Sequence, residues 1–166
     1  MIAAGFFRDE RIELLRGVIV EMSPQNAPHA GIIQALSHLL LPPLLGRANV
    51  RVQLPFVAGP DSLPEPDLAI VKPGRYMNAH PADAFLIIEV ADASLKIDRQ
   101  DKAEIYASAQ VPEYWVVNVG EHAIERYSEP SNGSYTRLTP FRQGETVQLL
   151  AFLDVAVRVD EVFRKE

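Results

Sequence analysis

The 166-residue sequence predicts a mixed α/β (α+β) fold, with helices packed against one central sheet. Three observations carry that prediction. Short apolar runs of strand length stand at 67–71 and 85–90 without polar alternation, as in central strands buried on both faces. Segments with helical spacing of apolar residues lie among the strand candidates. The chain is 48% hydrophobic and has no internal repeat, low-complexity tract or linker, so residues 1–166 fit one domain that buries roughly 70% of the surface its unfolded chain exposes.

The elements follow in order. IELLRGVIVEM, from Ile12 to Met22, flanks Arg16 and Gly17 with apolar pairs and reads as a tight hairpin or bulged strand pair. PHAGIIQALSHLLL places Ile32, Ile33, Leu36, Leu39 and Leu40 on one face of a helix from Pro28 to about Leu41, which Pro42-Pro43 should end. Strands are expected at Val50 to Val57, Asp67 to Val71 and Phe85 to Val90. A helix from about Asp98 to Ala109 then leads into a strand from Tyr114 to Val119. An Asn132-Gly133 turn and the alternating YTRL and ETVQLL segments make the remainder a β meander or hairpin.

Composition excludes several chemistries. With no cysteine there can be no disulfide, thiolate zinc site, iron-sulfur cluster or cysteine nucleophile, so a metal must be held by oxygen or imidazole. MIAAGFFRDERIELL has charges close to its start and no apolar core before a small-residue cleavage site, which is unlike a signal peptide. No run is long enough to cross a bilayer, and a soluble cytoplasmic protein is expected. The 16 basic and 22 acidic residues leave a net charge of −6, the wrong sign for a broad phosphate-neutralising surface.

The chemistry concentrates around Glu89, which interrupts the apolar run FLIIEV, where an ionised carboxylate costs several kcal/mol to desolvate unless it is compensated. If the strands at 67–71 and 85–90 pair antiparallel, the start of one lies beside the end of the other, and Asp67 meets Glu89 at one end of the sheet. Two carboxylates that close raise each other's pKa unless a cation sits between them. A hard divalent ion, Mg²⁺ or else Mn²⁺, suits oxygen ligands and keeps several waters. Asp98, Lys102 and Tyr106 recur at i, i+4 and i+8 as one helical stripe that can bring the Lys102 ammonium to the carboxylates, to orient or deprotonate a water or to stabilise phosphoryl charge. Each has a plainer reading: Asp98 as the N-cap of its helix with Asp101 three residues on, Lys102 as a surface pair with Asp98, and Tyr106, Tyr114 and Trp115 as core or groove-wall aromatics. Glu13 is a further acidic member of the site or an exposed hairpin charge, and Gln53 bonds the site or faces solvent. The four histidines show no zinc spacing; His29, near a helix start, is the one of interest.

The motifs PEPDLAIV, LIIEVADAS and DRQDKAEIYASAQVPEYWVVNV, with IELLRGVIVEMSP, His29 and RVQLP upstream, closely resemble the Uma-type family, described as putative restriction endonucleases, a branch of the PD-(D/E)XK nuclease superfamily. The resemblance runs from about Ile12 to Val119 and is looser beyond. It implies a restriction-endonuclease-like fold with Pro66-Asp67 as the PD element, Glu89 as the (D/E) and Lys102 as the motif lysine moved from strand to helix, and it adds the Val90 carbonyl to the metal shell. Two departures stand out. Ala91 takes the place of the strand lysine, and Gln110 stands where the family usually has glycine after the helix.

The resulting expectation is a Mg²⁺-dependent DNA endonuclease with Asp67, Glu89 and Lys102 catalytic and Asp67, Glu89 and Val90 binding the metal. A homodimer would let two copies of one site cut both strands. The alternatives are a noncatalytic binding or assembly module on the same fold, which the acidic charge favours, and hydrolysis of a small phosphorylated molecule.

Overall fold

The structure is a computed structural model and describes residues 11–165. The reading of the N-terminal segment as no signal peptide rests largely on residues 1–10, outside the described residues.

The chain opens with the expected hairpin, β1 (Ile12–Leu15) and β2 (Val18–Glu21), in register Leu15 to Val18. Arg16 and Gly17 both take positive φ, 50° and 78°, as the two central residues of a type I′ turn require. Helix α1 (Ala27–Leu44) starts under a cap in which Asn26 accepts the His29 amide at 3.0 Å. It does not end at Pro42-Pro43: both prolines lie inside its last turn. Proline removes amide donors but holds a helical φ, and fully buried Leu40 and Leu44 anchor that turn in the core.

A six-stranded sheet follows in the order β3 (Asn49–Val52), β4 (Leu68–Val71), β5 (Leu86–Ala91), β6 (Glu113–Asn118), β7 (Ala123–Ser131) and β8 (Ser134–Phe141). Only the β5–β6 pair is parallel, joined by a helical crossover. Strand β3 is shorter than expected because Gln53 adopts φ 51°, leaving the extended region, and Pro55 has no amide to donate to a ladder. Beyond the Asn132-Gly133 turn, β8 continues the central sheet, while β9 (Thr146–Gln148) and β10 (Ala156–Arg158) pair separately before a short α4 (Val159–Val162).

The crossover is one helical segment in three parts: α2 (Leu95–Ile97), a wide π-helical turn (Asp98–Lys102) and α3 (Ala103–Ser108). It therefore begins before Asp98, at Ser94, and the expectation of Asp98 as N-cap is corrected. Its end explains the missing glycine: Gln110 itself takes φ 60°, and Val111 N–H closes onto the Tyr106 carbonyl at 3.1 Å.

Alternation assigns the two sheet faces. Leu86, Ile88 and Val90 pack with Trp115 against α1 and the C-terminal elements. Ile87 and Ala91 pack with Ala69, Val71, Tyr114 and Val116 against Tyr106 and Ile105 of α3. Glu89 falls between Ile87 and Ala91 on this second face. No helix among the described residues is long and apolar enough to cross a membrane.

Candidate active site

The antiparallel β4–β5 pairing expected from sequence is present, in register Leu68 to Ile88. One residue further, Asp67 lies across from Glu89, and side chains directly opposite share a sheet face. Asp67 is fixed by the ladder it adjoins: its Oδ2 accepts the Val90 amide at 2.8 Å and faces His29 Nε2 at 3.2 Å. Gln53 Nε2 reaches Oδ1 only at 3.5 Å. Its left-handed backbone thus turns Gln53 toward the site, although it no longer belongs to the strand.

Glu89 is buried and held on one oxygen. Oε1 accepts the Tyr106 hydroxyl at 2.7 Å and the Lys102 ammonium at 3.0 Å. Among the described residues, Oε2 accepts no hydrogen bond. Lys102 Nζ also meets Glu13 Oε1 at 3.2 Å and Asp98 Oδ1 at 3.7 Å. Asp98 is a buried wall of the site: Oδ2 accepts from the Ser94 hydroxyl at 2.6 Å, and Oδ1 has no hydrogen-bond partner among the described residues. Glu13 is buried too, its Oε1 also accepting the Glu65 amide at 2.9 Å, so it joins the site and is not an exposed hairpin charge. Tyr114 bonds the Asp98 carbonyl at 2.9 Å and Trp115 bonds Glu113; both are core residues.

These contacts set the electrostatics. Burial pushes the Glu89 carboxyl well above the usual range; the Lys102 charge opposes this, while Asp98, Asp67 and Glu13 add to it. Burial would lower the Lys102 ammonium, yet Glu89, Glu13 and Asp98 together outweigh that and raise it. Lys102 keeps its proton, since three carboxylates surround a single ammonium. Burial likewise raises Asp98, with Lys102 and Ser94 opposing. His29 is raised chiefly by its bond to Asp67, against the effect of burial.

Asp67, Glu89, Val90 and Lys102 line one cleft of about 230 Å³, bounded also by Arg11, Asn26 and Asp92. Among the described residues no three His, Asp or Glu side chains stand ready to hold an ion, so an all-protein cage of the kind Ca²⁺ takes does not fit. Two carboxylates with an open oxygen facing a roomy cleft do fit Mg²⁺, which binds through one or two carboxylates and keeps water.

The comparison that decides the family is with a family model described as Uma2, putative restriction endonuclease, which matches residues 2–160. The chain belongs to this family. Among solved structures, the fold resembles that of a putative nuclease belonging to DUF820 from Anabaena variabilis ATCC 29413, with a TM-score of 0.70 and 15% identity over 93% of this chain and 90% of that one. No curated protein sequence matches.

In this Uma2 chain the structure brings together Asp67, Glu89, Lys102, Tyr106, Asp98, Glu13 and His29. Val90 contributes its amide to Asp67, and Gln53 touches only the edge. Sequence reasoning did not single out Ser94, which holds Asp98, or Asn26, which caps α1 and donates to Asp92 at 3.0 Å. The signal for Asn26 was present as an Asn before a Pro-containing helix start. For Ser94 it was masked by the wide turn.

Proposed function

We propose that this chain is a metal-dependent endonuclease that hydrolyses phosphodiester bonds in DNA. The observation that carries this reading is the division of Glu89: Lys102 and Tyr106 occupy Oε1, which leaves Oε2 without a hydrogen bond among the described residues, on a side chain that lines one cleft with Asp67. Asp67 and Glu89, with the Val90 carbonyl, are the groups that would hold Mg²⁺ or Mn²⁺. Such an ion supplies Lewis-acid stabilisation of phosphoryl charge. Lys102 keeps its proton, so it orients a water or stabilises developing negative charge and does not remove a proton. Tyr106 fixes the carboxylate plane of Glu89, and His29 with the Val90 amide fixes Asp67. Two copies related by a twofold axis would cut both strands of a duplex.

Family membership and the nuclease named for the structural neighbour support this assignment. It is tested by incubating the purified protein with supercoiled and single-stranded DNA in Mg²⁺, Mn²⁺ or EDTA. Cleavage that EDTA abolishes, and that Asp67→Asn and Glu89→Gln lose, is the expected result. A folded protein that cuts nothing under any metal would instead support the noncatalytic binding or assembly module, which the net charge of −6 favours.

A further inference from the structure

The chain carries 22 acidic residues, yet residues 45–60 and 72–82 contain none. Contacts join these two stretches. Asn49 of β3 donates to the Gly74 carbonyl, the Val57 amide donates to the Pro81 carbonyl at 2.9 Å, and the Arg51 guanidinium lies 5.4 Å from the centre of the Tyr76 ring. Tyr76 is fixed in turn, its hydroxyl donating to the Lys72 carbonyl at 2.7 Å. Arg51 is half-buried in this frame. One of its amino groups donates to the Pro55 carbonyl at 3.2 Å, and its sequestered Nε has no hydrogen-bond partner among the described residues. Burial lowers its pKa, with Tyr76 opposing and no carboxylate contributing. A cation drawn partly out of water costs free energy until an anion compensates it.

The ladder register places that cation beside the cleft. Arg51 stands across from Ala69, on the sheet face that carries Glu89. Asp67 is two residues from Ala69, about 7 Å along the strand. In the opposite direction Lys72 follows the end of β4, and Arg75 lies on the loop that bears Tyr76; both are exposed. We propose that Arg51, framed by Tyr76, binds a phosphate of the DNA strand flanking the scissile one, and that Lys72 and Arg75 continue this phosphate track away from the cleft. This rests on the DNA-cleaving reading above. A guanidinium presents a planar fork to two phosphate oxygens, and the aromatic face holds the plane of that fork by a cation–π contact. Such a track reconciles the net charge of −6 with a polyanionic substrate, because a few placed cations fix the strand without a broad basic surface.

The test reads phosphate contacts without catalysis. Binding of a fluorescein-labelled oligonucleotide is followed by anisotropy in EDTA across a KCl series, for wild type, Arg51→Gln and Arg51→Lys. Each phosphate contact contributes about 0.7–0.9 to the slope of log affinity against log salt. Arg51→Gln should weaken binding and flatten the slope by about one contact, and Arg51→Lys, which keeps the charge, should recover the slope. An unchanged slope in folded Arg51→Gln, or no recovery in Arg51→Lys, would overturn the subsite, while metal-dependent cleavage of plasmid DNA by wild type would show the nuclease reading intact. A wild type that binds no oligonucleotide overturns the subsite, and if it also cuts nothing under any metal the nuclease reading falls with it. If Arg51→Gln does not fold, Lys72→Gln combined with Arg75→Gln decides: a slope flatter by about two contacts supports the track, and an unchanged slope sinks it.

Discussion

The Tyr106 hydroxyl donates to Glu89 Oε1 at 2.7 Å, the same oxygen that Lys102 reaches from one turn earlier on the same helical segment. A phenol and an ammonium thus fix one carboxylate oxygen, and the other accepts no hydrogen bond among the described residues.

Tyr106→Phe removes only the hydroxyl and keeps the ring against Phe56 and Tyr114. Partners that orient a metal ligand typically carry about 10–100-fold in affinity or activity. Mn²⁺ affinity and cleavage should fall on that scale, with secondary structure unchanged by circular dichroism. Equal affinity in the two proteins would reduce Tyr106 to packing.

Glu89→Gln separates the ligand role from the structural one. Because burial and three neighbouring carboxylates hold the Glu89 pKa above its ordinary value, its ionised form works against folding at neutral pH. Lys102 keeps Glu13 and Asp98 as partners in the variant, so without metal Glu89→Gln should melt at or above wild type. A ligand that binds only the folded state raises Tm by mass action, so Mn²⁺ should raise the melting temperature of wild type and leave Glu89→Gln unmoved. A full metal shift in the variant would exclude Glu89 as a ligand.

Lys102→Met keeps much of the stem and deletes the charge. Cleavage should drop by roughly two or more orders of magnitude, the scale of a group acting on the transition state. Burial makes the variant structurally expensive as well: breaking a buried ion pair costs about 3–5 kcal/mol. Thermal melting beside a cleavage time course measures both effects. A variant that cuts at the wild-type rate removes Lys102 from the mechanism.

Glu113 offers a pH readout away from the site. It is buried on β6, where Oε1 accepts the Trp115 indole N–H at 2.8 Å and Oε2 accepts the Leu150 amide at 2.9 Å. Burial raises its pKa above the ordinary 4.5, although both N–H donors favour the charged form. A raised folded-state value means that its stabilising contribution is fully present below 4.5 and is lost as pH rises through that folded value. Trp115 is the sole tryptophan, so its emission should titrate with a midpoint above 4.5, and Glu113→Gln should flatten the curve. A midpoint at or below 4.5 contradicts the assignment.

The residues that sequence placed well are those whose position follows from a period. Antiparallel pairing brought Asp67 across from Glu89, and helical spacing aligned Lys102 with Tyr106. Position was obscured where the backbone leaves its period. Gln53 and Gln110 both occupy left-handed conformations that their side chains do not announce, and the prolines of α1 were given more breaking power than they have in a final turn packed through Leu44. Glu13 illustrates a different limit. Its contact with Lys102 spans 89 positions and depends on how the hairpin docks, which no local pattern records. Asp98 was misplaced as a cap because the turn it opens is wider than an α-helical one.

Beyond that wide turn, chain length itself is a determinant of this site. Each residue advances an α-helix by about 100°, since there are 3.6 residues per turn. Deleting one residue between Lys102 and Tyr106 would turn Tyr106 by about that angle relative to Lys102 and away from Glu89, although every functional side chain would still be present. When relatives of this chain are aligned, a gap of one position between Lys102 and Tyr106 therefore carries more weight than several substitutions on the exposed side of the same segment, and engineered variants should preserve that spacing before they preserve composition.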